Sequence, residues 1–210
     1  MNISKLVIFA LDGTLVDSDK TVIRILNTLR KDLNLSSLNE KDVHLLLSLG
    51  GDEMIKKVIE SEEDVDKYLK IFRKRYLDDP LIDEQLFDGV VNYLNHLDNK
   101  GIQMAILTNK PKNLTIKTIK RHKIDNFFKY VVTGDDVILK KPSSEGLEKI
   151  IKMSSISPKN IIMIGDSIFD FKAANLLSIP FFYHHVSSNQ EIINSKEAEK
   201  FSNFNDLIDQ

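Results

Sequence analysis

From Phe87 onward, short apolar runs alternate with stretches of helical spacing, and this alternation narrows what the chain can fold into. Val90, Leu94 and Leu97 recur at helical intervals up to Gly101, after which Ile102–Leu107 reads as a buried strand. Another helix leads to Tyr130-Val131-Val132, a third to Ile161–Ile164 and a fourth to Pro180-Phe181-Phe182-Tyr183. Strands separated by helices predict a parallel sheet covered on both faces, with ligands at the carboxyl ends of its strands. Leu6–Phe9 supplies one more strand near the start of the chain.

The segment between that first strand and the alternating region reads as helical throughout. Val22, Ile25, Leu26, Leu29 and Leu33 recur at helical spacing, and a further helix starts at Asn39-Glu40-Lys41-Asp42-Val43. Gly50-Gly51-Asp52 breaks the run before Met54, Ile55, Val58 and Ile59 resume it. A last helix through Tyr68, Leu69, Phe72 and Tyr76 stops near Asp79-Pro80, because proline disfavours helix in the residue before it. The expected organisation is an α/β core from residues 1–15 and 83–210, interrupted after its first strand by an all-helical domain at 16–82.

Composition bounds the function classes. The 210 residues are 42% hydrophobic and 29% charged, enough for a full core plus a sizeable insertion. A formal net charge of -2 offers no basic excess for a nucleic acid polymer. The absence of cysteine excludes disulfides, thiolate metal sites and a cysteine nucleophile, and fits a reducing compartment. No apolar run approaches the roughly 18 residues that cross a bilayer, and Met1 to Lys5 lead directly into a strand. A soluble cytoplasmic protein without a membrane partner is expected, as a monomer or homodimer.

The first strand runs into Phe9-Ala10-Leu11-Asp12-Gly13-Thr14-Leu15-Val16-Asp17-Ser18. Side chains at i and i+2 of a strand point the same way, so residues 10 and 12 share a face at its carboxyl end. This stretch resembles motif I of the haloacid dehalogenase superfamily, in which a strand ends in Asp-x-Asp-Gly-Thr. The resemblance covers essentially the whole chain and implies that superfamily's Rossmann-like parallel sheet, with the helical insertion acting as a cap. In such proteins the first aspartate attacks phosphorus and binds magnesium, while the second protonates the leaving group and later activates water. Here Asp12 is present for the second task, and Ala10 stands where the nucleophile belongs.

Three more motifs follow in order at the ends of expected strands. Thr108-Asn109-Lys110 looks like motif II, where a hydroxyl and backbone N–H groups hold phosphate oxygens. Lys141, directly before Pro142, matches the lysine of motif III, whose ammonium offsets charge on the phosphoryl group; Lys140 lacks the following proline. Gly165-Asp166-Ser167-Ile168-Phe169-Asp170 matches motif IV. The resemblance implies Mg2+ held by Asp166, Asp170 and the backbone carbonyl of Asp12, the hard oxygen ligands that magnesium takes. Alone, each motif has a plain structural reading as a strand-to-helix turn, a capping sequence or a solvated lysine.

The pattern is most similar to the phosphoglycolate phosphatase branch, which implies magnesium-dependent hydrolysis of a small phosphomonoester such as phosphoglycolate, a sugar phosphate or a nucleotide. Leu47-Ser48-Leu49-Gly50-Gly51 is a candidate specificity loop, with Gly50 and Gly51 as substrate contacts. Lys20, Arg24, Lys56 and Lys57 are candidate cap cations, though a solvated surface suits each. Gly165-Asp166 in place of Glu-Asp weighs against a phosphosugar mutase of the beta-phosphoglucomutase type. The form of motif I weighs against a phosphonatase, and the Asp166/Asp170 pair against a dehalogenase. Because Asp12, Thr108, Lys141, Asp166 and Asp170 all persist, Ala10 reads as an introduced replacement that inactivates a working enzyme. A natural pseudophosphatase that binds phosphate ligands is the alternative. His184-His185 lacks a third ligand at metal spacing, so these histidines and His44, His96 and His122 are assigned to surface or packing. Phe127-Phe128 and Phe181-Phe182 are assigned to the core, and Asp17-Ser18 to a hinge and the start of a helix.

Overall fold

The computed structural model describes residues 5–39, 46, 51–185 and 190–208. Two compact units are formed: one from the residues up to Asp17 together with those from Gln85 onward, the other from Ser18–Glu84.

The first unit is built on β1 (Leu6–Phe9), whose four residues are all buried. A two-residue strand, β2 (Val16–Asp17), pairs antiparallel with β3 (Gln85–Leu86), in the register Val16↔Leu86 and Asp17↔Gln85. The remaining strands are β4 (Gln103–Leu107), β5 (Tyr130–Val132), β6 (Ile161–Gly165), β7 (Phe181–His184) and β8 (Ala198–Phe201). They join β1 in a six-stranded sheet of order β5-β4-β1-β6-β7-β8, and every pairing is parallel. The chain builds outward from β1 in one direction through β4 and β5, then in the other through β6, β7 and β8. Connections therefore leave in opposite directions on the two sides of β1, and this reversal opens a crevice at the carboxyl ends.

Strand periodicity divides the core into two layers. Val7 and Phe9 point to one face, where they pack with Ile106, Ile164, Tyr93, Leu94, Leu97 and Phe204; Leu6 and Ile8 point to the other, with Leu107, Met163, Leu147, Ile150 and Ala173. The Phe9 ring meets Tyr93 and Phe128 edge-on at centroid distances of 6.2 and 6.0 Å, a favoured aromatic geometry.

The described residues of the second unit form α1 (Asp19–Asp32), α2 (Gly51–Ile59) and α3 (Val65–Asp78). Val22, Ile25, Leu26 and Leu29 of α1, Met54, Ile55, Val58 and Ile59 of α2, and Leu69, Phe72 and Tyr76 of α3 are its buried residues. Arg30 is buried too, and its guanidinium donates to the carbonyls of Ser36 and Val58 and to the Glu60 carboxylate. Tyr76 donates its hydroxyl to the buried Glu84. The expected helix at Asn39–Val43 lies, beyond Asn39, outside the described residues, as does Leu47–Gly50.

In the first unit the helices that follow the strands are α4 (Val90–Asn99), α5 (Lys112–Arg121), α6 (Glu145–Ser154) and α7 (Ile168–Asn175), with a short α8 at Gln190–Ile193. Three segments differ from the sequence expectation: Val16-Asp17, its pairing partner Gln85-Leu86, and Ala198–Phe201. Val16-Asp17, read as the start of the helical block, is a strand, because its pairing partner lies far along the chain and two residues carry no periodicity. Strand β8 has no counterpart in the sequence pattern: Ala198-Glu199-Lys200-Phe201 buries only its first and last residues, so its apolar signal is weak.

Candidate active site

The sheet register decides which side chains meet. Phe9 stands level with Ile106 on one neighbour and Ile164 on the other, so Ala10 emerges beside the ends of both β4 and β6. Its N–H donates to the Ile164 carbonyl at 2.9 Å, and the residue is 2% exposed. Beyond it the backbone turns sharply: the N–H groups of Leu15 and Val16 donate to the Leu11 carbonyl at 2.9 and 3.0 Å, and that of Gly13 donates to the Val16 carbonyl at 2.9 Å.

This turn needs glycine at position 13 for two reasons. Gly13 has φ of 77°, the left-handed region that L side chains avoid, and a Cβ there would lie 2.1 Å from Asp166 Oδ2. The close approach is reinforced by Thr14, whose hydroxyl donates to Asp166 Oδ1 at 2.7 Å. Motifs I and IV are thus fastened to each other through Gly13, Thr14 and Asp166.

Motif II closes the other side. Thr108 is buried, donates its N–H to the Val132 carbonyl at 3.0 Å, and accepts the Lys110 N–H on its hydroxyl at 3.1 Å. Lys110 then reaches across to Asp12, with 2.8 Å between Nζ and Oδ1 and only 9% of the lysine side chain exposed. Asn109 faces the motif III loop: its amide nitrogen donates to the Lys141 carbonyl at 3.1 Å and its oxygen accepts the Lys141 N–H at 2.9 Å. This fixes the backbone from which the Lys141 ammonium extends to the Leu107 carbonyl at 2.9 Å and Asp170 Oδ1 at 2.5 Å.

Asp170 has a second attachment. Its Oδ2 accepts from the Ser167 N–H at 3.1 Å and from the Ser167 hydroxyl at 2.5 Å, forming a capping box at the start of α7. Asp166 is half-buried, and the Gly13 backbone packs close against its carboxyl group. Burial, then the nearby charge of Asp170, push its pKa well above the ordinary carboxylate range, and the Thr14 hydroxyl and Lys141 offset only part of this. A buried carboxyl group raised in this way is favoured in its charged form by a nearby cation, which is the chemistry a metal at this position would supply. Among the described residues no group of three or more His, Cys, Asp or Glu side chains is arranged to hold a metal ion. Ala10 contributes no oxygen to such a group.

The expected positions Ala10, Asp12, Thr108, Asn109, Lys141, Asp166 and Asp170 therefore converge at the ends of β1, β4 and β6. Gly51 opens α2 in the helical unit, and Gly50 lies outside the described residues. Of the candidate cap cations, Arg24 is tied to Asp79 at 2.5 Å and Asp83 at 2.9 Å, and Lys56 to Glu53 at 3.1 Å. Thr14 and Lys110 have no separate role in the sequence expectation, and His184 is expected only at the surface or in packing. Thr14 and Lys110 lie inside the quoted motifs, so their position was visible although their partners were not.

These features define a class: the chain belongs to the haloacid dehalogenase-like hydrolases, whose family description matches residues 7–183. Within it, the chain's relatives are phosphoric monoester hydrolases. The chain is 30% identical to the phosphoglycolate phosphatase of Colwellia psychrerythraea, over 97% of this chain and 95% of that protein. It is 28% identical to the phosphoglycolate phosphatase of Aquifex aeolicus, over 80% and 79% of the two chains. The crystal structure of a predicted phosphoglycolate phosphatase from Haemophilus somnus superimposes with a TM-score of 0.86 at 25% identity, covering 100% of this chain and 98% of that one. Among the described residues no helix is long and apolar enough to cross a membrane.

Proposed function

We propose that this chain carries the site of a magnesium-dependent phosphatase for a small phosphomonoester, halted at binding because its nucleophile is replaced by Ala10. The observation that carries this reading is the place of Ala10: it directly follows the central strand β1 and its N–H bonds the Ile164 carbonyl of β6, at the strand ends from which Asp12, Thr108 and Asp166 also emerge, where a carboxylate would face a phosphate held by the other motifs.

With aspartate at position 10, a carboxylate oxygen forms a bond to phosphorus as the ester P–O bond breaks. Asp12 delivers a proton to the departing oxygen, then takes one from the water that hydrolyses the aspartyl-phosphate. Lys110, 2.8 Å from Asp12, holds that carboxylate in place. The Thr108 hydroxyl and the N–H groups after it bind phosphoryl oxygens, and the Lys141 ammonium offsets their charge. Asp166, Asp170 and the Asp12 carbonyl would hold Mg2+, which when bound supplies positive charge to the phosphoryl group. With alanine no bond to phosphorus forms. The missing negative charge also leaves the site more favourable to an anion, so phosphate binding is retained or strengthened.

Near full-length similarity to phosphoglycolate phosphatases supports a small, carboxylate- or hydroxyl-bearing ester, with the helical unit serving as the cap. Sugar phosphates and nucleotides remain within the same substrate class, and a reducing cytoplasmic setting for a monomer or homodimer suits the cysteine-free composition. A mutase is disfavoured by Gly165: a Cβ there would lie 2.6 Å from the Asp170 Cβ, so glutamate at this position would displace Asp170. A natural pseudophosphatase stays as the second reading, carried by the intact Lys141–Asp170 and Thr14–Asp166 contacts around an alanine.

The test is phosphate release from a panel of phosphomonoesters with magnesium, by this chain and by its Ala10→Asp form. Release by the aspartate form alone supports the proposal and names the ester class. Inert behaviour of both forms, with phosphate bound by calorimetry, would favour the pseudophosphatase.

A further inference from the structure

We propose that His184 is a positioning residue for this site, holding the Gly13 carbonyl through its Nδ1–H and so keeping the Thr14 hydroxyl on Asp166. His184 ends β7, separated from β1 by β6, and is 1% exposed. Its Nδ1 lies 3.1 Å from the Gly13 carbonyl oxygen. The ring is gripped by aromatic neighbours: it stacks on Phe201 at 5.1 Å and 24°, meets Phe87 edge-on at 4.7 Å, and touches Phe204 at 5.2 Å. A ring enclosed in this way keeps its orientation and cannot turn Nδ1 elsewhere without repacking.

The hydrogen bond matters because of what it grips. Glycine permits rotation of the peptide that follows it at little steric cost. Rotation of the Gly13–Thr14 peptide changes φ of Thr14 and swings its hydroxyl away from Asp166, 2.7 Å distant in the observed arrangement. Gly13 also packs so close to Asp166 that an added Cβ would meet Oδ2 at 2.1 Å, so the turn is bounded by this carboxyl group as well as by the histidine at its carbonyl. Packing alone explains an apolar side chain at position 184. It does not explain a nitrogen aimed at a backbone carbonyl in the motif I turn. Burial, the largest influence on His184, lowers its pKa, while the backbone of Gly13 and that of Ser202 both bond to the ring and compete for its proton; the grip on Gly13 requires that proton on Nδ1. This is the arrangement in which a residue outside the ligand set orients those within it.

The inference rests on the proposed function only where it assigns a cation to Asp166, and its test separates the two. In the unmodified chain, nitrogen-15 spectra of the histidines are expected to show the His184 proton on Nδ1. His184→Leu should speed amide hydrogen exchange at Thr14 and weaken Mn2+ binding, measured calorimetrically, by about tenfold each. His184→Asn, whose amide can donate from nearly the Nδ1 position, should restore both to within about threefold of the unmodified chain. A proton on Nε2, parental exchange in His184→Leu, or no rescue by asparagine would overturn the assignment. If the unmodified chain took up no Mn2+ at millimolar concentration, the magnesium reading would fall, while the tautomer and the exchange rates would still decide the role of His184.

Discussion

Lys141 and Asp170 face each other at 2.5 Å with side chains only 7% and 2% exposed, joining the motif III loop to the first turn of α7. Removing one partner of such a pair leaves an uncompensated charge in the interior. Lys141→Met is expected to lower unfolding free energy by about 3 kcal/mol, and Lys141→Met with Asp170→Asn by distinctly less. Urea denaturation of the two singles and the double measures the coupling, and additivity would show that the pair does not interact.

Ala10→Asp introduces a carboxylate beside Asp166 and Asp170. Without divalent cations the aspartate form should be less stable than this chain by about 1–2 kcal/mol, since like charges in a crowded site repel. Millimolar Mg2+ should recover that loss and raise the melting temperature more for the aspartate form than for alanine, as binding to the native state alone predicts. Melting curves in EDTA and in Mg2+ provide the comparison.

Gly13→Ala should be among the most damaging small substitutions in the chain. It places a side chain at φ of 77° and sets a Cβ 2.1 Å from Asp166 Oδ2, so backbone strain and a steric clash act together. A loss of about 3 kcal/mol or more is expected by chemical denaturation. Gly101→Ala, with φ of 66° and nothing within 4 Å of the added Cβ, should cost about 1 kcal/mol and isolates the backbone component.

In the helical unit, Arg30 donates to two backbone carbonyls and one carboxylate from a buried position. Arg30→Met strands those carbonyls and should cost about 2–4 kcal/mol, with Arg30→Lys recovering little because one ammonium cannot reproduce the planar fork. Thermal unfolding of the three forms checks the ordering.

Glu145 accepts the N–H groups of Ile138 at 2.8 Å and Leu139 at 2.7 Å, and these two bonds hold its pKa below the ordinary glutamate value. A depressed folded pKa means the clamp stabilises the loop above the unfolded value and is lost as pH falls through the folded one. The amides of Ile138 and Leu139, residues that are 91% and 62% exposed, should therefore shift together on acidification. Glu145→Gln should abolish that titration in an NMR pH series.

Much of this protein was legible from local pattern. The alternation after Phe87 placed β4 to β7, because buried strands and amphipathic helices leave different periodicities, and Ala10, Asp12, Thr108, Lys141, Asp166 and Asp170 could be read from short motifs at strand ends. What tertiary structure alone decided lies between residues distant in the chain: Val16-Asp17 pairing with Gln85-Leu86, Lys110 reaching Asp12, Thr14 reaching Asp166, and His184 reaching Gly13. A backbone propensity is a property of neighbouring residues and is written where they stand. A hydrogen bond or ion pair between side chains on different strands depends on sheet order and register, which exist only once the strands have assembled.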